Sequence, residues 1–190
     1  PIRVFVPIAG AAAQAPPTLQ RPRGPMVARR SERAQLAGLV DAVLVGQSTC
    51  VALIGEAGIG KSRLVEEARS LAGEAEVAVV TAAGLPVERN IAYRAFRPVA
   101  ETLLGLDPTW PAERRAAAAL TAIETHPDLA ALAPLINSIV PLGLAENDHT
   151  RGLVGEKRVF RTDDLLCGLL QQRCSNHRVL LVVEDAHWLD

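Results

Sequence analysis

One stretch, Gly55-Glu56-Ala57-Gly58-Ile59-Gly60-Lys61-Ser62, constrains the fold more than any other part of the chain. It fits the pattern G-x-x-x-x-G-K-[ST] of a phosphate-binding loop, known as Walker A. Residues 51–54 before it form a short apolar run that predicts a buried parallel strand. Leu64, Val65 and Ala68 recur after it at helical spacing. The sequence therefore predicts a strand, a glycine-rich turn and a helix, in the order that this motif requires.

The chemistry of the loop follows from its residue types. Its three glycines have no side chain to obstruct the backbone, which can approach an anion closely. Backbone N–H groups and the positive end of the following helix would then surround a phosphate. In this motif Lys61 reaches the β- and γ-phosphates, and the Ser62 hydroxyl ligates magnesium. The candidate nucleotide-binding residues are those of the loop together with the adjacent Arg63.

A second candidate group lies near the end of the sequence. Residues 179–183 are apolar and predict a buried strand, and Glu184 and Asp185 follow it directly. This order is the Walker B pattern, in which an acid at the end of a strand serves magnesium or orients the attacking water. Because ligands of open α/β sheets bind beyond the carboxyl ends of the strands, one site would use both motifs. We therefore predict Glu184 and Asp185 as catalytic and magnesium-serving residues, with Ser62 as a further magnesium ligand.

The composition favours a soluble globular chain. With 49% hydrophobic and 22% charged residues among 190, the chain can bury a core. A formal net charge of −1 gives no argument for binding to nucleic acid or to an anionic membrane. No apolar run reaches the roughly 20 residues of a membrane span. The three cysteines lack C-x-x-C spacing, which favours a reducing, cytoplasmic location and buried, inert thiols.

Changes in residue composition along the chain, together with the positions of proline and glycine, predict how the chain is organised. Residues 1–10 contain a strand-like run, residues 11–25 are a linker rich in Ala, Pro and Arg, and residues 26–190 form the nucleotide-binding domain. In that domain Ser31 is the expected N-cap of a helix that stops at Gly46. A second strand is expected at residues 77–81, and helices at 91–104, 111–125, 129–139 and 156–172. Pro98 and Pro134 would kink or interrupt two of these helices.

Four stretches, in the same order, carry a family resemblance. Residues 184–190, Glu-Asp-Ala-His-Trp-Leu-Asp, resemble the D/E-D-x-H-W-x-D segment of AAA-like ATPase domains of the STAND class. Residues 25–32 resemble the F-V-G-R-x-x-E opening of these domains, with Ala28 in place of glycine. Residues 91–96 resemble their P-Y-x-P-F segment, and residues 161–170 resemble the helix that leads into Walker B. Such domains occur in bacterial LuxR-type transcription regulators and in class III adenylate or guanylate cyclases.

The resemblance implies an α/β fold: a three-layer P-loop NTPase with a mostly parallel sheet, here truncated after the Walker B strand. It also implies ATP and Mg²⁺ as ligands, with Val27 near the adenine. In the family the strand beside the Walker A strand follows Walker B, so we expect the central strand to lack a neighbour. This chain alone is then expected to be inactive in hydrolysis. We expect His187 to be a helix-start histidine and Trp188 a core aromatic, not catalytic residues.

The sequence leaves open two kinds of full-length protein that would contain this chain, which we call the host protein. Residues 1–6, Pro-Ile-Arg-Val-Phe-Val, resemble the P-V-x-x-Y-x-V strand that closes class III cyclase domains, which favours an ATP-binding, slowly hydrolysing regulatory module of a cyclase. The alternative is a nucleotide-gated LuxR-type regulator whose DNA-binding domain lies outside these residues. The Glu184-Asp185-Ala186-His187-Trp188 stretch argues against a metabolic kinase. The expected partners are the nucleotide, other domains of the same polypeptide and a second copy of the chain, with no direct contact to nucleic acid or membrane.

Overall fold

The computed structural model describes residues 29–56, 58–88 and 90–189. The predicted N-terminal strand, the linker, Val27 and the loop residue Ala57 lie outside the described residues. The chain divides into two compact units. The first comprises the described residues of Pro1–Thr81 together with Arg178–Glu184, and the second comprises those of Ala82–His177 and Asp185–Asp190.

The first unit combines two helices with a short parallel sheet. Helix α1 spans Arg30–Leu44 and helix α2 spans Lys61–Glu74, and the two pack against each other. Strand β1 spans Ala78–Ala83 and pairs with β2, which spans Val179–Glu184. Apolar side chains give α2 its inner face, where Leu64 and Ala72 are buried. The predicted loop helix, second strand and Walker B strand are thus confirmed, with bounds shifted by a few residues.

The expected strand at residues 51–54 is not formed. These residues make no ladder with any part of the chain that the structure describes. A strand is stabilised by backbone hydrogen bonds to a neighbour, and no described segment supplies them here. Ala52 is buried, whereas the side chain of Ile54 is 77% exposed. The prediction of a strand was therefore wrong.

Helix α1 begins two residues earlier than the cap prediction requires. Its N-cap is Arg29, with φ 62°, so Ser31 lies inside the first turn and is not the cap. The Ser31 hydroxyl donates a hydrogen bond to the carboxylate of the next residue at 2.7 Å, and no side chain caps the N–H groups of the first turn. The predicted stop is confirmed, because Gly46 has φ 80° and its N–H bonds the Val43 carbonyl at 3.0 Å.

The second unit is built mainly from helices. The longest is α6 (Gly155–Asn176), which covers the whole of the segment 156–172 that the sequence predicts as helical before Walker B. Among the residues that the structure describes, no helix is both long and apolar enough to cross a membrane. The elements are α3 (Arg97–Leu103), α4 (Ala112–Glu124), α5 (Pro127–Ala130), α6 (Gly155–Asn176) and 3-10 turns at Arg94–Phe96, Ala133–Ser138 and Ala186–Trp188.

One apolar core holds the second unit together. Ile123 on α4 and Leu165 on α6 are fully buried in it, as are Leu135 and Ile136 of the 3-10 turn between them. These side chains come from segments that the sequence predicts as helical, and only the segment at residues 156–172 has a predicted amphipathic face, which here supplies Leu165. Burial of a large aliphatic side chain is worth about 1.5–3 kcal/mol, which makes this cluster the main source of stability of the unit.

The two prolines begin helical segments and do not distort them. Pro98 lies in the first turn of α3, and Pro134 lies in the first turn of the 3-10 segment Ala133–Ser138. The first turn of a helix leaves its N–H groups without an intrahelical acceptor, so proline costs no hydrogen bond there. The predicted kink at Pro98 was therefore wrong, because the helix begins at Arg97 and not at residue 91.

The three cysteines are not buried. Cys50, Cys167 and Cys174 all have exposed side chains, and no disulfide joins them. The expectation of buried thiols was wrong because Cys167 and Cys174 lie on the outward face of α6, next to buried Leu165 and Leu169 but not among them. Their separation agrees with the absence of C-x-x-C spacing.

Candidate functional site

The phosphate-loop glycines adopt conformations that suit glycine best. Gly58 has φ 79° and Gly60 has φ 97°, both in the left-handed region. A Cβ atom at either position would meet no atom within 4 Å, so the backbone conformation rather than crowding requires glycine. Gly60 is also the N-cap of α2, and the N–H groups of the first helical turn therefore point towards the loop. The loop leaves open space beside a helix N-terminus, as an anion site needs.

Lys61 is held over the loop by the loop's own backbone. Its ammonium donates hydrogen bonds to the Gly55 and Glu56 carbonyls, each at 2.9 Å. An ammonium has three N–H donors, so a third direction is left for an anion. The predicted lysine is therefore brought to the start of the loop and not extended into solvent.

The other predicted loop residues surround this contact. Glu56, Gly58 and Ser62 are exposed, and Arg63 is half-buried. A Cβ atom at Gly55 would lie 3.1 Å from the side chain of Ile59, which means that the loop folds closely over its first glycine. The structure thus brings the described loop residues together at the start of α2.

Arg29 is a loop contact that the sequence analysis did not assign to the site. Its guanidinium donates a hydrogen bond to the Ile59 carbonyl at 2.5 Å, across 30 positions of sequence. It also lies 3.6 Å from the Glu32 carboxylate. The Ser31 hydroxyl, and more weakly Arg29, hold the pKa of Glu32 below its usual value. Arg29 belongs to the opening segment that resembles the family, but spacing alone gives no sign that this arginine returns to the loop.

The two predicted acids have different surroundings. Glu184 ends β2 in the first unit, and its side chain is half-buried beside Arg69 of α2. Asp185 belongs to the second unit, and its side chain is exposed. Asp185 also has φ 49°, an uncommon conformation outside glycine, which turns the chain sharply after the strand. Adjacent residues therefore present one paired and one exposed carboxylate.

A short turn follows Asp185 in the second unit. The Trp188 N–H bonds the Asp185 carbonyl at 2.9 Å and closes the 3-10 turn Ala186–Trp188. The rings of His187 and Trp188 are 4.9 Å apart, with His187 exposed and Trp188 partly buried. The helix-start position of His187 agrees with the sequence analysis. Trp188 is only partly buried, less than a core aromatic would be, and its Cβ lies close to Gly84.

Gly84 allows the turn to lie close to the chain that follows β1. A Cβ at this position would be 2.5 Å from the Asp185 carbonyl oxygen and 3.0 Å from the Trp188 Cβ. We expect Gly84→Ala to displace the turn and to lower the free energy of unfolding by about 1–3 kcal/mol. Urea denaturation followed by Trp188 fluorescence, in a Trp110→Phe background, measures both effects.

The matched control for this prediction is Gly38→Ala in the middle of α1. A Cβ there would meet no atom within 4 Å. Replacing a helical glycine by alanine stabilises a helix by about 0.5–1 kcal/mol, so the control should not destabilise the chain. Equal stability losses for the two variants would show that close packing at Gly84 is not the cause.

The loop and the sheet together define a class of protein. A glycine-rich loop with a lysine, placed at a helix N-terminus beside parallel strands, is typical of P-loop nucleotide-binding proteins. Residues 25–190 match the family model of the AAA ATPase domain, and the chain belongs to this family. No curated protein matches the chain, and no solved structure does.

Membership of the family confirms the coarser predictions. The fold is that of an α/β P-loop NTPase, and AAA ATPase domains bind nucleotide, usually with Mg²⁺. The described loop geometry fits such a ligand, because the open space beside Gly58 and Gly60 lies at the N-terminus of α2.

Proposed function

We propose that the chain binds ATP with Mg²⁺ and acts as a regulatory module of a multidomain signalling protein. The observation that carries this proposal is the loop itself. Gly58 and Gly60 are in left-handed conformations, and Lys61 is held by the carbonyls at the start of the loop. Nucleotide state would then set the conformation of the module, with slow hydrolysis in the full-length protein as the reset.

The proposed ligand contacts follow the sequence predictions. The backbone of the loop and the Lys61 ammonium would hold the phosphates, and Val27 would lie near the adenine. Ser62 would ligate magnesium, with the acids Glu184 and Asp185 serving the ion. The proposed nucleotide-binding set is Val27, Gly55, Glu56, Ala57, Gly58, Ile59, Gly60, Lys61, Ser62 and Arg63.

The chemistry that magnesium supplies when bound is neutralisation of charge on the phosphate oxygens. The chain's own residues would orient the phosphates and the attacking water. The N–H groups at the start of α2 and the Lys61 ammonium provide a fixed positive surface for phosphate oxygens. Arg29 steadies the loop through the Ile59 carbonyl. Glu184 at the end of β2, or Asp185 directly after it, would orient the attacking water.

The host protein is proposed from sequence resemblance. A class III adenylate or guanylate cyclase is favoured by residues 1–6, and the alternative is a LuxR-type transcription regulator. Cyclic-nucleotide production by the full-length polypeptide would support the first. Binding of the full-length protein to DNA, without cyclase activity, would support the second.

Isothermal titration of this chain with ATP tests the binding proposal. We expect saturable 1:1 binding that is tighter with Mg²⁺ than with EDTA, because the ion screens the repulsion between the phosphates and the nearby acids. GTP in place of ATP measures base preference, and we expect weaker binding. An absence of binding by both nucleotides, by a chain that unfolds cooperatively, would contradict the proposal.

A further inference from the structure

Arg29 bonds the phosphate loop at one particular peptide group. Its Nη2 atom donates a hydrogen bond to the Ile59 carbonyl oxygen at 2.5 Å. The peptide between Ile59 and Gly60 is trans, and the C=O and N–H groups of a trans peptide point in opposite directions. The contact therefore fixes two groups at once, because the carbonyl lies towards Arg29 and the Gly60 N–H lies on the side away from it.

Glycine at position 60 leaves this peptide group free to turn over. A flip of the peptide plane would exchange the directions of C=O and N–H and would change mainly the ψ of Ile59 and the φ of Gly60. Gly60 has φ 97°, and glycine adopts positive and negative φ about equally well. A Cβ at Gly60 would meet no atom within 4 Å, so the surroundings are not crowded. Neither φ preference nor crowding at Gly60 thus selects one orientation.

Helix α2 does not select the orientation either. A helix orients the N–H groups of its own residues, here from Lys61 onwards, whereas Gly60 is the N-cap and lies before the first helical residue. Within the described part of the chain, the Gly60 N–H donates to no backbone carbonyl. It therefore remains available to a ligand, while the carbonyl of the same peptide is held by Arg29.

Helix α1 gives Arg29 a fixed base for this contact. The Arg29 carbonyl accepts the Arg33 N–H at 3.1 Å, which makes Arg29 the N-cap of α1. The Arg33 guanidinium lies 2.5 Å from the Glu67 carboxylate of α2, and the two helices pack against each other. One end of α1 thus bonds both the loop and the helix that follows it, and all of these residues belong to the first unit.

We infer that Arg29 is a positioning residue, which holds the Ile59–Gly60 peptide in the orientation that presents the Gly60 N–H to a phosphate. The loop then keeps this donor in place before a ligand arrives. Without Arg29 the peptide would populate both orientations, and the apparent dissociation constant rises as the binding-competent fraction falls. The affinity test of this inference rests on the proposed function, whereas the orientation of the peptide in the free chain does not.

The first experiment observes the peptide by NMR in the free chain. Isotope labels at the carbonyl carbon of isoleucine and the amide nitrogen of glycine give one correlation for each Ile–Gly pair, and the sequence contains two, Ile54–Gly55 and Ile59–Gly60. Ile54→Leu identifies the first correlation by removing it. We expect Arg29→Met to shift the Ile59–Gly60 correlation, with the carbonyl resonance moving upfield as the hydrogen bond is lost. The Ile54–Gly55 correlation should stay in place.

Two other arginines of α1 supply the controls for this experiment. Arg30→Met removes the same charge from the next residue, whose side chain is exposed, and should leave both correlations in place. Arg33→Met breaks the pair with Glu67 and should shift the Ile59–Gly60 correlation less than Arg29→Met does. An equal shift in Arg33→Met would show a general loosening of α1 and overturn the inference, as would an unchanged Ile59–Gly60 correlation in Arg29→Met.

The second experiment measures nucleotide affinity by competition titration. Arg29→Met should lower the affinities for ATP, ADP and GTP by a common factor of about three to ten, because the loop N–H groups meet phosphates that all three share. The side chain of Arg29 is 30% exposed, so we expect a smaller effect than for a buried charged hydrogen bond. Arg29→Lys, which keeps a charged donor, should recover part of the loss. Arg30→Met should stay within about twofold.

A different pattern of losses would overturn the inference. A larger loss for ATP than for GTP would indicate a contact of Arg29 with adenine, and a larger loss for ATP than for ADP would indicate a contact with the γ-phosphate. An equal loss in Arg30→Met would indicate an effect of charge alone. An affinity loss without the shift of the Ile59–Gly60 correlation would also exclude action through the peptide.

The two proposals fail in different ways. If the unmodified chain bound no nucleotide, the proposed function would be wrong, and the NMR experiment would still report whether Arg29 orients the Ile59–Gly60 peptide. If the chain bound nucleotide but the correlation stayed in place in Arg29→Met, the positioning role alone would be wrong.

Discussion

Lys61→Ala is expected to weaken ATP binding about 10- to 100-fold. A hydrogen bond to a charged group contributes about 1.5–3 kcal/mol, and each 1.4 kcal/mol corresponds to about a factor of ten in affinity. The substitution removes the ammonium that would meet the phosphates. It also leaves the Gly55 and Glu56 carbonyls without the donor that holds them together. Competition titration against a fluorescent ATP analogue measures the change.

The sequence offers a matched control for this experiment. Lys157 is the other lysine of the chain and lies exposed on α6 in the second unit. Lys157→Ala removes the same charge and should leave ATP affinity within about twofold, because Lys157 is an exposed side chain outside the phosphate loop, where salt screens its charge. ATP affinity that is unchanged in Lys61→Ala, or lowered equally in both variants, would contradict the assignment of the loop.

Ile123→Ala is expected to destabilise the second unit by about 2–5 kcal/mol. Ile123 is fully buried on α4 within the main core cluster. The substitution removes buried apolar surface and leaves a cavity that the neighbouring side chains fill only in part. A stability of about 5–15 kcal/mol is typical for a domain, so the loss is a large fraction of the total. Urea denaturation with far-UV circular dichroism measures it.

The same substitution at an exposed isoleucine shows whether the loss of stability comes from burial or from the residue type alone. Ile91 lies in the second unit and its side chain is 53% exposed. Ile91→Ala should therefore change the free energy of unfolding by no more than about 0.5 kcal/mol. A loss at Ile91 as large as the loss at Ile123 would contradict the location of the core.

Local patterns account for the features that the sequence predicts correctly. The phosphate loop is recognisable because all its required residues lie within eight positions, and their backbone needs are met locally. Helices α4 and α6 are recognisable because their apolar faces repeat at helical spacing. Strand β2 is recognisable as an apolar run that ends in acids. In each case the residues of the segment itself are sufficient to predict its structure.

Features that depend on distant partners are not predictable in this way. The apolar run at residues 51–54 has strand composition, but a strand needs a neighbour that composition cannot supply. Arg69 looks like one member of a surface pair with Glu66 on α2, yet it bonds Glu184, 115 positions away. Arg29 contacts Ile59 across 30 positions. The phosphate loop can be predicted from its own residues, whereas the distant contact of Arg29 with its backbone cannot.

The lack of a ladder at residues 51–54 has a consequence for the cooperativity of the first unit. Segments open with free energies that depend on their own contacts, and those without backbone ladders open most readily. Ala52 in the segment before the phosphate loop is buried, and no strand among the described residues pairs with this segment. Its local opening would then not require β1 and β2 to separate. A ligand bound to the loop would therefore stabilise a segment that has no backbone ladder among the described residues.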